Sequence, residues 1–362
     1  MIYLDYQSTT PLAPEARDAM LQWLDTSEGS GFGNPHSPHR MGRQAGAAID
    51  LAREQVGALL PAGGRVIFTG NACEAINLAM RGTAQHRGAQ GGAVSVSAIE
   101  HAAVWDTAEA IGKRHVLNVA TNGQCNTNQD LPQDTRLVCV MQVNNEIGTI
   151  QPTVEWHRKA KENNALFLCD AVQSYGKMEV TGADMIAISA HKIHGPKGIG
   201  ALWVRDGIEL DPQITGGLQE LGLRSGTLSP ALCAAFGAAA VVAKDRMEQD
   251  HEHAEELWTL ARDMFADNWA LNGDEDTRWH GNLNVRRKGL DVARLMSECR
   301  NVMFSAGSAC ASGSGKTSHV LKAIGLSDKA AKSSIRVGWG RYTSREDVEQ
   351  GIGAILKAAN SQ

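Results

Sequence analysis

Two short segments carry residue types suited to amine and carbonyl chemistry. Asp170-Ala-Val-Gln173 closes the apolar run Ala165–Cys169. Ser189-Ala-His191-Lys192 begins nineteen residues after Asp170 and closes the run Met185–Ile188. Each puts polar, reactive side chains at the C-terminal end of a predicted buried strand. Open α/β sheets bind ligands at that edge. A lysine on one strand end can form a Schiff base. A carboxylate on a nearby strand can keep a pyridinium nitrogen protonated, so that the ring withdraws electrons. The pair fits pyridoxal phosphate, and it fits a surface salt bridge between strand ends about equally well.

Other segments supply further candidates, each with a plainer alternative. Val66–Glu74 reads as a strand, a small-residue turn and a helix start, where the amides of Ala72 and Cys73 could take a phosphate. An ordinary βα turn has the same pattern. His101, at another helix start, could stack on a ring and move protons, or be structural. Asn144 and Asn145 follow the apolar run Leu137–Met141. Their amides could serve a phenolic oxygen and a carboxylate, or only their own turn. Arg336 on a predicted strand could clamp a carboxylate bidentately or pair with an acid.

The segment Ser305–Thr317 holds a decoy and a candidate. Its Gly-Ser-Gly-Lys-Thr end suggests a phosphate-binding loop, but Cys310 occupies the first glycine position of that motif. The candidate is Cys310 itself. A thiol among small residues can reach a substrate as a nucleophile, or it is an incidental exposed cysteine.

These residues need a frame. At 362 residues the chain can hold two domains and a large core. A net charge of −5 and no basic block give no reason to expect nucleic-acid binding. The start of the chain does not read as a signal peptide. The longest uncharged stretch, Ser225–Ala243, reads as a loop and a buried helix rather than a membrane span. Seven cysteines without a CxxC suit a reducing cytoplasm, and no metal site is expected.

Strands are predicted at Val66–Thr69, Ala93–Ser97, Val116–Val119, Leu137–Val143, Leu166–Cys169, Met185–Ser189 and Gly200–Val204. Helical stretches lie between them at Glu74–Arg81, His101–Ile111 and Val154–Asn163. That alternation predicts an α/β fold, a mostly parallel seven-stranded sheet flanked by helices. Ala231–Phe265 reads as two helices or one kinked helix. After it, strands at Asn282–Val285, Val302–Phe304 and Ser334–Val337 mix with helices at Val292–Glu298, Ser318–Ile324 and Arg345–Lys357. We expect a large domain over 14–245, and a smaller α+β domain formed by 1–13 and 246–362.

In order, these segments resemble the cysteine desulfurases, in the class V aminotransferase group of fold-type I pyridoxal phosphate enzymes. The resemblance runs from Tyr3–Pro11 and Gly33-Asn-Pro35 through Glu100-His101, Asn144–Gly148, Asp170–Gln173 and Ser189–Gly198. It ends with Arg224–Thr227, the Cys310 segment and Ser334–Arg336. It implies that Lys192 holds the cofactor and moves the α-proton, that Asp170 pairs with the ring nitrogen, and that Gln173 and Asn145 bond the phenolic oxygen. His101 would stack on the ring and assist proton transfer. Cys73, Ser189 and His191 would hold the phosphate, together with Thr227 of a second copy in a homodimer. Arg336 and Asn34 would bind the substrate carboxylate. Cys310 would take sulfur from L-cysteine as a persulfide, leaving alanine, and pass it to a sulfur-acceptor protein. The resemblance also leaves open a selenocysteine lyase, an aminotransferase or a degenerate non-catalytic partner protein.

Four positions depart from the family pattern. Cys73 stands for the usual threonine, Asn71 for a glycine, and Leu218 and Leu221 for a glycine and an arginine. Cofactor affinity is therefore expected to be reduced, and contacts near Leu218 and Leu221 to differ. The sequence stops soon after its last predicted helix, so scaffold contacts are expected to be weaker than in housekeeping members.

Overall fold

The computed structural model of the chain describes residues 1–24, 31–86, 92–265, 268–307 and 317–362. It opens with β1 (Ile2–Tyr3), α1 (Pro14–Leu21) and α2 (Arg40–Gly57). Strands and helices then alternate through β2 (Gly64–Thr69), α3 (Ala72–Gln85), β3 (Ala93–Ser97), α4 (Ala102–Ile111), β4 (Arg114–Leu117) and β5 (Thr135–Cys139). The series continues with α5 (Thr153–Glu162), β6 (Leu166–Asp170), β7 (Met185–Ser189) and β8 (Gly200–Arg205). Two helices follow, α6 (Pro230–Asp245) and α7 (Met247–Met264), separated at Arg246. The remaining elements are β9 (Ala270–Leu271), β10 (Asn282–Arg286), α8 (Val292–Glu298), β11 (Val302–Met303), β12 (Ser305–Ala306), α9 (His319–Ala323), α10 (Asp328–Lys332), β13 (Ser334–Gly338) and α11 (Arg345–Asn360).

The main sheet has the order β2-β8-β7-β6-β5-β3-β4. Its strands alternate faces. Phe68, Phe167, Cys169, Ile186, Ile188 and Trp203 pack into one core with α2, α5 and α6. Ile67, Leu168, Met185, Ala187 and Leu202 pack into another with α3 and α4. Both faces are covered, so these strands read as continuous apolar runs.

One strand breaks the parallel pattern. β8 is antiparallel to both β7 and β2. The segment 190–199 between β7 and β8 is too short for a helical crossover, so the chain must turn back on itself. The turn carrying His191 and Lys192 thus stays at the sheet edge where β7 ends. β2, β3, β5 and β6 run in the same direction as β7 and end at the same edge.

Two predicted strands have different limits. β4 covers 114–117 rather than 116–119, because the Asn118 amide donates to Gln129 Oε1 at 2.7 Å instead of to a strand. β5 stops at Cys139 rather than Val143, because the Met141 amide turns to the Glu100 carboxylate at 2.8 Å.

A second, four-stranded sheet has the order β12-β13-β10-β9. Leu283, Val285, Ile335 and Val337 pack there against Trp258 of α7 and Ile352 and Ile355 of α11. β1 pairs in parallel with β11, and Leu4 enters this same core. None of the helices among the described residues is long and apolar enough to cross a membrane.

Candidate active site

A cavity of about 380 Å³ opens at the edge where these strands end. Ala72, Cys73, His101, Asn145, Asp170, Gln173, Ser189, His191, Lys192 and Arg336 all line it. Its volume is in the range of small-molecule sites.

The β2–α3 turn supplies one end. Asn71 Oδ1 caps α3 by accepting from the Glu74 amide at 2.9 Å, and Glu74 Oε2 accepts from the Gly70 amide at 2.7 Å. Asn71 has φ −176°, an extended conformation open to any residue, so a glycine is not needed there. Ala72 and Cys73 form the first turn of this fourteen-residue helix, where unbonded amides and the helix dipole favour an anion. Ser189, at the end of β7, has a buried hydroxyl with no partner. His191 Nδ1 lies 3.1 Å from Thr9 Oγ1. Burial and the charges of Lys192, Lys197 and Lys177 push this imidazole down to about 4, so it is neutral at pH 7.

Lys192 sits in a 3-10 turn after β7. Its Nζ donates to the main-chain oxygens of Gln7 and, at 2.7 Å, of Ser8. Gln173 Nε2 donates to the same Gln7 oxygen at 3.0 Å, while Gln173 Oε1 is buried without a partner. Asp170 ends β6 and accepts from the Val172 amide at 2.9 Å. Burial raises its proton affinity, opposed by the positive charges of His101 and Lys192. His101 Nδ1 caps α4 by accepting from the Ala103 amide at 3.1 Å. A nitrogen that accepts carries no hydrogen, so the neutral ring has its hydrogen on Nε2.

Arg336, on β13, is buried, and its fork is already engaged. Nη2 meets Asp5 Oδ1 at 2.7 Å and Ser8 Oγ at 2.8 Å, and Nη1 meets Asn145 O at 2.9 Å. Only Nε is buried without a partner. A bidentate carboxylate clamp, the sequence expectation, would have to displace one of these contacts. The charge and Nε remain available without such displacement.

Three sequence candidates lie elsewhere. Asn34 is exposed, with Oδ1 accepting from the His36 amide at 3.0 Å, and Thr227 is exposed; neither lines the cavity of its own chain. Cys310 and the Gly-Ser-Gly-Lys run lie outside the described residues. The departures Leu218 and Leu221 are 89% and 73% exposed and border a different cavity with Pro35, His36 and Glu220.

Sequence reasoning missed Gln7 and Ser8, whose contribution is a pair of carbonyls that no side-chain type reveals. It also missed the buried acids beside His101 and Asn145. Glu100 Oε1 accepts from Ser97 Oγ at 2.5 Å, and burial pushes its carboxyl up to about 8. Glu146 Oε2 accepts from Ser318 Oγ at 2.5 Å, and burial pushes it up to about 7. Lys177, in a small cavity that Lys192 also borders, is pushed down to about 7 by burial and the like charge of Lys192.

The donor set fits the group implied by the resemblance. A helix N-terminus suits a phosphate, a buried carboxyl suits a ring nitrogen, and a lysine suits an aldehyde. The unpartnered Ser189 Oγ and Gln173 Oε1 are what a polar ligand would satisfy.

The model of the class V aminotransferase family matches residues 2–350. The chain is 39% identical over 377 residues to a cysteine desulfurase IscS of Colwellia psychrerythraea, covering 99% of this chain and 92% of the relative. A NifS-like protein from Rickettsia africae superposes with a TM-score of 0.90 at 26% identity, covering 99% of both chains. SspA, solved in complex with cysteine, superposes at 0.82 with 34% identity, covering 95% of this chain and 100% of that one.

Proposed function

We infer the function of this chain from its family: it belongs to the class V aminotransferases. Within that family it is a cysteine desulfurase, taking sulfur from L-cysteine and leaving L-alanine. The observation that supports this most is the convergence of Lys192, Asp170 and the first turn of α3 on one cavity. The relatives named above are cysteine desulfurases or bind cysteine.

Pyridoxal phosphate, when bound, supplies an electron sink for the substrate's α-carbon. Lys192 would hold it through Nζ, and Asp170 would pair with its ring nitrogen. Gln173 and Asn145 would serve its phenolic oxygen. Ala72, Cys73, Ser189 and His191 would hold its phosphate, with Thr227 of a second copy. A neutral His191 suits this role as a hydrogen-bond donor. His101, fixed through Nδ1, presents Nε2 for proton movement. Arg336 would draw the substrate carboxylate by charge, with Asn34.

Cys310 Sγ would then attack the substrate sulfur. The S–S bond forms as the Cβ–S bond breaks. The electron pair of that bond stays on Cβ, which takes up a proton to give alanine. The persulfide on Cys310 passes to a sulfur-acceptor protein. We assign 14–245 to the cofactor-binding domain and 1–13 with 246–362 to the small domain, in a cytoplasmic homodimer.

The test is alanine and sulfide release from L-cysteine with added cofactor and a reductant. Wild type should give equal amounts of both. Lys192→Ala and Cys310→Ser should each lose more than about 99% of the rate, as expected when a covalent participant is removed. Normal product from Lys192→Ala would refute the lysine assignment. Normal alanine from Cys310→Ser would make the enzyme a lyase that does not need this thiol.

A further inference from the structure

The described ends of the Cys310 segment are both fastened to one residue that the mechanism does not use. On the near end, the Gly307 carbonyl accepts from Asn284 Nδ2 at 3.2 Å. That same Nδ2 donates to the Glu146 carbonyl at 3.1 Å, which also accepts from Asn282 Nδ2 at 3.0 Å. On the far end, Ser318 Oγ donates to Glu146 Oε2 at 2.5 Å and itself accepts the Leu321 amide at 3.0 Å. The two ends also touch. A Cβ on Gly307 would lie 2.9 Å from Leu321 Cδ1.

Glu146 is held in turn by the wall of the cavity. Its amide donates to Asn144 Oδ1 at 2.8 Å, and its neighbour Asn145 receives Arg336 Nη1 at 2.9 Å. A parallel contact reaches the other side of the cavity. His319 Nε2 donates to the main-chain oxygen of Glu100, next to His101, at 2.9 Å. The Gly307 amide donates to Ser334 O at 2.8 Å, two residues before Arg336. The ends of the segment are therefore referenced to His101, Asn145 and Arg336.

We propose that Glu146 is a positioning residue, whose side chain and carbonyl hold both ends of the Cys310 segment in register with the substrate cavity. This rests on Cys310 being the sulfur-accepting thiol. A buried carboxylate suits the task. The Ser318 contact is short and charge-assisted, and burial excludes water that would compete for it. A nucleophile misplaced by about 1 Å can lose about a hundredfold in rate, so a loosened end should act on turnover and not on substrate capture.

The test compares holoenzyme variants Ser318→Ala, Ser318→Thr and Glu146→Gln with wild type. Cofactor content is read by absorbance, and substrate capture by the absorbance change on adding L-cysteine. Turnover is read as alanine release, and thiol reactivity as iodoacetamide labelling of Cys310 by mass spectrometry in cofactor-free protein. Ser318→Ala should lower kcat about tenfold with KM within about twofold, and raise the labelling rate severalfold. Glu146→Gln should lower kcat by less, since an amide oxygen still accepts. Ser318→Thr, which keeps the hydroxyl, should recover most of the wild-type rate. Unchanged kcat and labelling in Ser318→Ala would overturn the proposal, as would a loss explained entirely by cofactor content. Cys310→Ser separates the two ideas. If it still releases alanine, the thiol assignment fails and this proposal with it. If it is inactive while Ser318→Ala and Glu146→Gln work normally, only the positioning role fails.

Discussion

Asp170 and Glu100 are both buried carboxyls, and they differ in what opposes burial. The positive charges of His101 and Lys192 act on Asp170. Glu100 has hydrogen bonds from Ser97 and Met141 but lies near the like charge of Asp170, and it rises from the usual 4.5 to about 8. The folded protein therefore keeps a proton on Glu100 that the unfolded chain has already lost at neutral pH. Stability from this group is complete below about pH 4.5 and declines as pH rises toward about 8. Glu146, raised to about 7, adds to the same slope. Replacing Glu100 by Gln removes its share. Thermal melts at pH 6 and pH 9, at matched cofactor loading, should show a smaller fall in Tm for Glu100→Gln than for wild type. Equal falls would mean that Glu100 is already ionised at pH 6.

At the scale of elements, the site depends on how closely β8 meets the start of α3. Gly200 pairs with both Thr69 and Ser189. A Cβ there would lie 2.7 Å from Asn71 C and Ile188 O and 2.9 Å from Ala72 N, all main-chain atoms that cannot rotate away. Gly200→Ala should therefore push the first turn of α3 off the cavity. We expect a destabilisation of about 1–3 kcal/mol and weaker cofactor retention, read by thermal denaturation and by titration with pyridoxal phosphate. Wild-type values in both would show that the turn tolerates displacement. The β2–α3 motif and the Lys192 turn were each legible in the sequence. Their contact was not, because it follows from the antiparallel placement of β8 between β2 and β7. Apolar runs do not record strand direction.

At the scale of the whole molecule, the cavity is built from parts of the chain that are far apart in sequence. The carbonyls that hold Lys192 come from residues 7 and 8, and Arg336 is held by Asp5. The segment after β1 thus ties the main sheet to the smaller one. Asn34 and Thr227, exposed and away from the cavity of their own chain, belong with the exposed Leu218 and Leu221 on a surface that a second copy would cover. Light scattering should give twice the 38.7 kDa of one chain. Thr227→Ala should weaken cofactor affinity by about tenfold, the order of one charge-assisted hydrogen bond. A monomer with full affinity would sink the sharing of Thr227 between copies.

The sequence by itself determined the order of strands and helices, the strand ends that carry Asp170 and Lys192, and the helix starts at Ala72 and His101. These depend on periodicity, capping and turn chemistry, which act over a few residues. The tertiary structure alone decided that Gln7 and Ser8 hold Lys192, that Asp5 and Asn145 fill the fork of Arg336, and that Glu146 joins both ends of the Cys310 segment. It also decided that Glu100 stays protonated. Charge state and long-range partners follow from desolvation and from neighbours hundreds of residues away, and no local pattern carries that information.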